Sequence, residues 1–344
     1  MRRRGGAGGY ALPLALGVIA VMSVIVLTGA ERVSRTQTVA FELRQEALVD
    51  RALHDAEAIA TGLIATRAHA LDGLVLNQVA SDQVSLTLPV VDEAVGENLL
   101  RFDGAPRRIR LGDVDVTLRL YNADGLVSLI RAEDAVLQGL LMGFGVSRAQ
   151  SADLVAALQD YQDADDRPRR GGAEITQYAR AGLPSPKNEP LGSPREVFMV
   201  YGWGDLERLV ESGFLDTVSV STTRLRPSSR YMPQTLRDAL DAGLTSADAR
   251  LGLLSDLARS SGIPTSAYRL ELYAVSTQTG TGLKRVFEIR ADPARRELMF
   301  ARSFIYETPI STEQARELLT NETARLIDLR DVFDRWPGPD RADP

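Results

Sequence analysis

The chain opens with an apolar run long enough to cross a membrane as a helix. Residues 10–30 include 21 positions without an acidic or basic side chain. At about 1.5 Å per residue, a helix of this length spans roughly 31 Å, close to the thickness of a bilayer core. Arg2, Arg3 and Arg4 precede it, and basic residues are retained on the cytoplasmic side. The pattern predicts a single-pass anchor with a cytoplasmic N-terminus and the rest of the chain outside.

Beyond residue 30 the helical period continues, now with polar positions between the apolar ones. Apolar residues recur about every 3.6 positions, which predicts an amphipathic continuation with its apolar face on a sheet. The members of this face are Leu53, Ala56, Ile59, Ala60, Leu63, Ile64, Leu71, Leu74 and Val75. His54 and His69 would both lie on this helix, about 22 Å apart, too far to share a site.

Strand patterns occur on both sides of a helical block. Strands are predicted at residues 84–90, 107–112 and 114–122, with a turn at residues 122–125, and again at 267–277, 283–291 and 297–307 around a loop at 279–282. Between about residues 131 and 262 short helical patterns dominate, and a last helix is predicted from residue 312 to 333. This order predicts an α+β fold in which a helical domain is inserted into an α/β domain.

Composition limits the chemistry that this chain can perform. It has 344 residues, a formal net charge of −6, no cysteine and two histidines. These numbers exclude disulfides and thiolate metal sites and disfavour histidine-based catalytic metals. The acidic total disfavours general nucleic-acid binding. Lys187 and Lys284 are the only lysines among the 40 basic residues, a skew that we attribute to coding bias.

The junction between the basic leader and the apolar run resembles the class III signal of type IV pilin-like proteins. In that family the cut precedes the apolar helix; here it would follow Gly9 and leave Tyr10 as the first mature residue. Most pilins carry a glutamate at mature position five, where this chain has Leu14. An ordinary secretory signal peptide is the competing interpretation, but the run is longer than a usual signal core and lacks a clear cleavage site.

In its missing glutamate and its inserted helical block, the chain resembles the minor pseudopilin K family of type II secretion systems. The resemblance implies a type IV pilin-like fold, a long N-terminal helix on an antiparallel sheet, with a large helical insertion. It also implies a non-enzymatic subunit that caps the pseudopilus tip, initiates its assembly and aids export across the outer membrane. A subunit without the acid at position five would have no subunit above it.

The partners implied by this family are the I-type and J-type minor pseudopilins, the major pseudopilin, the prepilin peptidase, which also methylates the N-terminus, and the inner-membrane assembly platform. Secreted substrate or the outer-membrane channel is a further expected contact, and nucleic acid is not expected. The chain would lie in the inner membrane with its bulk in the periplasm. The domains expected are a leader (1–9), a transmembrane helix (10–30), a first pilin-like part (31–130), the insertion (131–262), the last pilin-like strands (263–311) and a C-terminal helix with tail (312–344).

An acidic loop in the predicted insertion is a candidate metal site. Asp163, Asp165, Asp166 and Glu174 lie within twelve residues, and three of them match positions one, three and twelve of a calcium-binding EF-hand loop. Arg167 and Pro168 occupy positions five and six, which excludes a true EF-hand. The segment resembles a family motif, W-x-D-x-D-D…G-x-E…Y, in a domain with calcium sites, which implies structural calcium. A solvated loop paired with Arg167, Arg169 and Arg170 is the alternative.

A second class of function is kept open by the glycines at Gly143 and Gly145. The surrounding helices have the pattern of a helix–hairpin–helix, whose backbone amides bind DNA phosphates in other proteins. The alternative is therefore a membrane-anchored extracytoplasmic DNA-binding module, although the nearby aspartates oppose phosphate binding. No nucleotide fingerprint or nucleophile motif is present.

Overall fold

A computed structural model describes residues 11–79, 98–221, 224–244, 267–291, 300–327 and 329 of the chain. Its first element is helix α1, Ala11–Thr66. Among the described residues, α1 is the helix that is long enough and apolar enough to cross a membrane. Large apolar side chains between Leu16 and Leu27 are about 60% exposed, because no protein element covers them. Gly9 and Tyr10 lie outside the described residues.

The second half of α1 packs on the protein as the sequence predicts. Leu53, Ala56, Ala60, Leu63 and Ile64 are all buried in one hydrophobic cluster. Two polar contacts secure the same half. Buried Gln45 accepts a hydrogen bond from Ser276 Oγ at 2.9 Å, and Arg285 reaches Asp50 at 2.6 Å.

The predicted extension of α1 to Val75 is wrong, because the helix ends at Thr66. Strands β1 (Arg67–His69), β2 (Gly73–Val79) and β3 (Leu99–Arg101) follow and form a three-stranded sheet. The apolar spacing that continues the helical period also fits a short buried strand, and periodicity alone does not separate the two. His69 therefore lies on β1, while His54 remains on α1.

A six-stranded sheet forms the layer beneath α1. Its strands are β4 (Arg107–Leu111), β5 (Val114–Asn122), β8 (Ala267–Ser276), β9 (Gly282–Ala291), β10 (Phe300–Pro309) and β11 (Arg325–Leu326). Their order in the sheet is β10-β9-β8-β5-β4-β11, and every pair is antiparallel except β11 with β4. The predicted α+β class, a long helix on an antiparallel sheet, is confirmed.

The helical insertion leaves the sheet after β5 and returns at β8. These two strands are neighbours, with Asn122 opposite Tyr268, so the insertion does not interrupt the sheet. It contains α2 (Asp134–Gly143), α3 (Arg148–Gln162), α4 (Ile175–Ala181) and α5 (Gln234–Gly243). A parallel pair, β6 (Val127–Ser128) with β7 (Val218–Ser219), lies near its base. Two of the short helical patterns form 3₁₀ helices, Pro194–Met199 and Gly204–Val210, and a third such helix is Phe214–Asp216.

The insertion has its own core, centred on Trp203. This side chain is fully buried, and its indole N–H donates to the Leu154 carbonyl at 2.8 Å. The indole lies 5.9 Å from the Phe214 ring. A core of this size supports an independent layer beside the sheet.

The predicted C-terminal helix is shorter than its sequence pattern suggests. Helix α6 covers Thr312–Thr320, and the chain then turns and adds β11 to the sheet. Arg108 on β4 donates to the Leu318 and Asn321 carbonyls at 3.0 and 2.9 Å, which satisfies the end of the helix. The strand predicted at 84–90, the last part of the predicted helical block (residues 245–262) and most of the tail after residue 327 lie outside the described residues.

Candidate metal centre

The acidic loop joins the end of α3 to the start of α4. Asp163 is the C-terminal cap of α3, and Glu174 is the N-terminal cap of α4. Asp165 accepts a hydrogen bond from the Arg167 amide at 2.9 Å, the short-range turn that aspartate favours. The two helix ends therefore bring residues separated by eleven positions into one place.

Two glycines allow the loop to pass close to the helix. Gly171 has a positive φ of 83°, a conformation that side chains with a Cβ rarely adopt. At Gly172 a Cβ would lie 2.0 Å from Asp160 Oδ2. Any larger residue at Gly172 would displace the buried Asp160 carboxylate.

Three of the four predicted metal ligands are brought together. Asp163, Asp165 and Glu174 each offer an oxygen, and these oxygens all lie within 4.8 Å of one another. Asp166 faces the neighbouring loop, where its Oδ1 accepts from Asn188 Nδ2 at 3.5 Å. The sequence spacing therefore predicts which three carboxylates lie close together, and Asp166 lies at the edge of this group.

The oxygens in this centre lack ordinary partners. Glu174 is only 2% exposed, and neither of its carboxylate oxygens has a hydrogen-bond partner among the described residues. Asp163 Oδ1 and Asn188 Oδ1 are also buried without partners there. Unpaired buried acceptors are costly, so this group of oxygens has the character of an incomplete coordination shell.

Electrostatics at Glu174 agree with that interpretation. Burial, together with the negative charges of the nearby aspartates, raises the pKa of Glu174 to about 7. The aspartates are Asp160, Asp163, Asp166 and Asp165, in decreasing order of effect. A divalent cation would remove this repulsion and supply the missing partner.

Arg169 shares the acidic loop with the candidate centre. Its guanidinium donates to the fully buried Asp160 at 2.7 Å and also contacts Asp163 Oδ2. The alternative, a loop held by salt bridges, is thus present on one side of the loop, where Arg169 pairs with Asp160 and Asp163. Arg167 and Arg170 are exposed. Arg169 leaves Asp163 Oδ1 and both Glu174 oxygens available, so the ion pair and a metal site are compatible.

Asn188, which contacts Asp166 at the edge of this centre, is a residue that the spacing argument did not identify. It belongs to the loop 184–193, has a positive φ of 53°, and its amide donates to the Tyr161 carbonyl at 2.9 Å. Asparagine tolerates this backbone conformation. The only local signal was an asparagine among prolines, which indicates a turn and not a ligand.

The glycines of the possible DNA-binding hairpin have a packing role. Gly143 lies against α5, where a Cβ would be 2.0 Å from the Ala239 carbonyl oxygen. Gly145 has a φ of 85° and forms the turn into α3. Gly143 allows α2 and α5 to approach each other and Gly145 allows the turn, so each glycine has a structural role that is independent of phosphate.

The family comparison agrees with this architecture. Residues 119–207 match the family model of type II secretion system protein K, first domain. They include the end of β5, the acidic loop and Trp203. No curated protein matches the chain.

Among solved structures, the chain is similar to one in the crystal structure of the GspK-GspI-GspJ complex from the enterotoxigenic Escherichia coli type 2 secretion system. The identity is 17%, the TM-score is 0.48, and the match covers 80% of this chain and 99% of the other. The family match confirms the resemblance predicted from the sequence: residues 119–207 are similar to the first domain of type II secretion system protein K.

Proposed function

We propose that the chain is a K-type minor pseudopilin that caps the tip of the type II secretion pseudopilus, initiates its assembly and aids protein export. The match of residues 119–207 to protein K carries this proposal. The exposed apolar half of α1 supports it, because such a rod requires lipid or other apolar helices around it. Its anchor would lie in the inner membrane and its bulk in the periplasm, and its role is structural.

Two features support a position at the tip: the absence of a carboxylate at Leu14 and the bulk of the inserted domain. Leu14 has no carboxylate to pair with the amine of a subunit above. The inserted domain adds bulk beside the sheet that a further subunit would meet. Labelling an epitope in the insertion should mark fibre ends only; label along the fibre length would contradict the proposal.

Processing after Gly9 would produce the retained helix. Gly9→Leu should block cleavage by the prepilin peptidase, so the chain keeps its leader mass and secretion fails. Gly8→Ala, one residue away, is the matched control and should be cleaved normally. Intact mass spectrometry of membrane-extracted chain provides the measurement. An unchanged mature mass in Gly9→Leu would contradict class III processing.

The proposed partners are the I-type and J-type minor pseudopilins, followed by the major pseudopilin and the assembly platform. Methylation of the new N-terminus would follow cleavage. Co-purification of a tagged chain with both minor partners from detergent extracts tests this assignment, and their absence at stoichiometric level would contradict it. Secreted substrate or the outer-membrane channel would contact the exposed insertion.

We also propose that the centre at Asp163, Asp165 and Glu174 binds structural calcium. Hard carboxylate and amide oxygens are the ligands that Ca²⁺ takes, and Asn188 supplies the amide. Asp166 at the edge would act through charge or a bound water. Magnesium demands a stricter octahedron and should stabilise the chain less.

Thermal unfolding with calcium or a chelator tests this site. Calcium should raise the midpoint of the native chain, and Glu174→Gln should abolish most of the increase. Glu189→Gln is the control, because Glu189 is exposed on the nearby loop and should leave the calcium effect intact. An equal calcium response in Glu174→Gln would exclude the site.

A further inference from the structure

A cavity of about 460 Å³ in the insertion is lined by residues of α2, of α3 and of two loops. Leu129, Leu137 and Leu158 provide a buried apolar part of the lining. Leu225 also lines the cavity and is 58% exposed. Small-ligand sites have this range of volumes and combine an apolar lining with a few polar groups. The cavity therefore offers apolar surface to a small group that enters it.

The charged side chains of the lining are mainly basic. Arg131 and Arg169 line the cavity together with one acid, Asp163. The guanidinium of Arg169 already contacts the Asp163 carboxylate, so the negative charge in the lining is compensated. The remaining excess is positive, in a chain whose formal net charge is −6. This local charge favours an anionic group in the cavity.

Arg131 has a fixed backbone and an uncommitted side chain. Its amide donates to the hydroxyl of buried Ser128 at 3.0 Å. Its guanidinium is exposed and has no hydrogen bond or ion pair within the part of the chain that the structure describes. The acid two positions further on, Glu133, pairs with Arg226 at 2.9 Å. The donors of Arg131 are therefore available to a ligand.

Arg169 has one edge of its guanidinium free. Only Nη1 donates to Asp160 and to Asp163. Nε and Nη2 have no partner among the residues described in the structure. The acidic loop therefore uses one nitrogen of Arg169 and leaves the Nε–Nη2 edge open.

Two other arginines of this chain show what such an edge binds. Arg110 donates from Nε and Nη2 to the two oxygens of Asp115, at 2.8 and 3.1 Å. Arg230 binds Asp72 with the same two nitrogens, at 2.7 and 3.2 Å. This paired geometry matches the spacing of carboxylate oxygens and gives strong, directional binding.

We propose that the cavity binds a carboxylate that carries an apolar group. The carboxylate would accept from Arg131 and from the Nε–Nη2 edge of Arg169, and the apolar group would contact the buried leucines. Two sources have this chemistry: the C-terminal residue of a polypeptide and a short fatty acid. A neutral amide of the same shape would lose the charge-assisted hydrogen bonds.

This inference is independent of the tip assignment and of the calcium site. It rests on donors that the acidic loop leaves open, whereas the metal site rests on carboxylate oxygens. The two are also measured differently, since calcium is tested by unfolding midpoints and the cavity by ligand binding. Failure of one proposal would therefore be distinguishable from failure of the other.

Titration calorimetry of the full chain in detergent tests the proposal, with empty micelles as the blank. The probes are the dipeptide N-acetyl-alanyl-leucine, its C-terminal amide and octanoate. We expect the dipeptide acid to bind at least about tenfold more tightly than its amide. Octanoate weaker than the dipeptide acid would identify a polypeptide C-terminus as the source, and octanoate at least as tight would identify a fatty acid.

Three variants locate the binding. Arg131→Gln should weaken the dipeptide acid about tenfold and leave the amide unchanged. Arg169→Lys keeps a cation beside Asp160 but removes the Nε–Nη2 edge, so it should also weaken the acid. Arg180→Gln is the matched control, because Arg180 is exposed on α4 and does not line the cavity.

Three results would overturn the proposal. They are no heat from the dipeptide acid at millimolar concentration, equal affinity for acid and amide, and native affinity in Arg131→Gln. Because the side chain of Arg131 is exposed and makes no contact within the described residues, this variant should fold like the native chain. The first two results come from the native chain and do not depend on any variant.

Discussion

Glu174 shows what one buried carboxylate does to the stability of the insertion. Its pKa rises from 4.5 to about 7 in the folded chain, so between these values the folded state binds more protons than the unfolded state. The free energy of unfolding without metal should therefore fall as pH rises through this window, by roughly 3 kcal/mol, and then level off. Calcium competes with the proton, so its stabilising effect should increase over the same range.

Glu174→Gln should remove this pH dependence because glutamine does not titrate. In chelator, the free energy of unfolding measured with urea should differ between pH 5 and pH 8 by more in the native chain than in the variant. Above pH 7 the variant should equal or exceed the native chain in stability. If the stability of the native chain in chelator rose between pH 5 and pH 7 relative to that of the variant, the pKa of Glu174 would not be raised in the folded chain.

At the scale of elements, the contact between α2 and α5 depends on glycine. A Cβ at Gly243 would lie 1.8 Å from the Gly139 carbonyl oxygen, and one at Gly143 would lie 2.0 Å from that of Ala239. These obstacles are backbone atoms, so the helices themselves must move apart. Overpacking of this kind typically costs about 1–3 kcal/mol.

Gly143→Ala and Gly243→Ala should each lower the unfolding midpoint of the insertion in urea. Ala135→Ser, on the exposed face of α2, is the control and should change stability by less than about 0.5 kcal/mol. Midpoints at the native value in both glycine variants would show that the helices can separate without cost.

The same comparison addresses the alternative function. If the glycine hairpin bound DNA, the substitutions would weaken a salt-dependent gel shift. If the glycines serve only in packing, the glycine variants should be less stable than the native chain, and the native chain should not shift DNA in the gel. The element that resembled a binding motif in the sequence is explained by a helix crossing in the structure.

At the scale of the whole molecule, a buried ion pair on the sheet also contacts the insertion. Arg269 and Glu288 are both fully buried and lie 2.7 Å apart. Arg269 also donates to the Leu215 carbonyl at 2.6 Å and contacts that of Val218. One guanidinium therefore connects two strands of the sheet to the 3₁₀ helix Phe214–Asp216 and to β7.

Arg269→Ala should cost about 3–5 kcal/mol, because it leaves Glu288 buried without its partner. The double variant Arg269→Met, Glu288→Leu should lose much less, since no charge is then buried alone. Urea unfolding followed by the fluorescence of buried Trp203 checks whether the insertion responds to a change in the sheet. If the double variant were as unstable as the single one, the carbonyl contacts and not the charge pair would be the main cause.

Local patterns in the sequence determined the long helix, five strands of the six-stranded sheet, the inserted position of the helical block and three of the carboxylates that meet. They succeeded because periodicity and chain spacing act over a few turns or one strand. The end of α1 at Thr66, the short α6, the role of Asn188 and the buried pair of Arg269 and Glu288 were decided only by the tertiary structure. These features depend on groups distant in the chain. The alternation in β8 shows that one face is polar, but only the folded insertion determines that this face is buried.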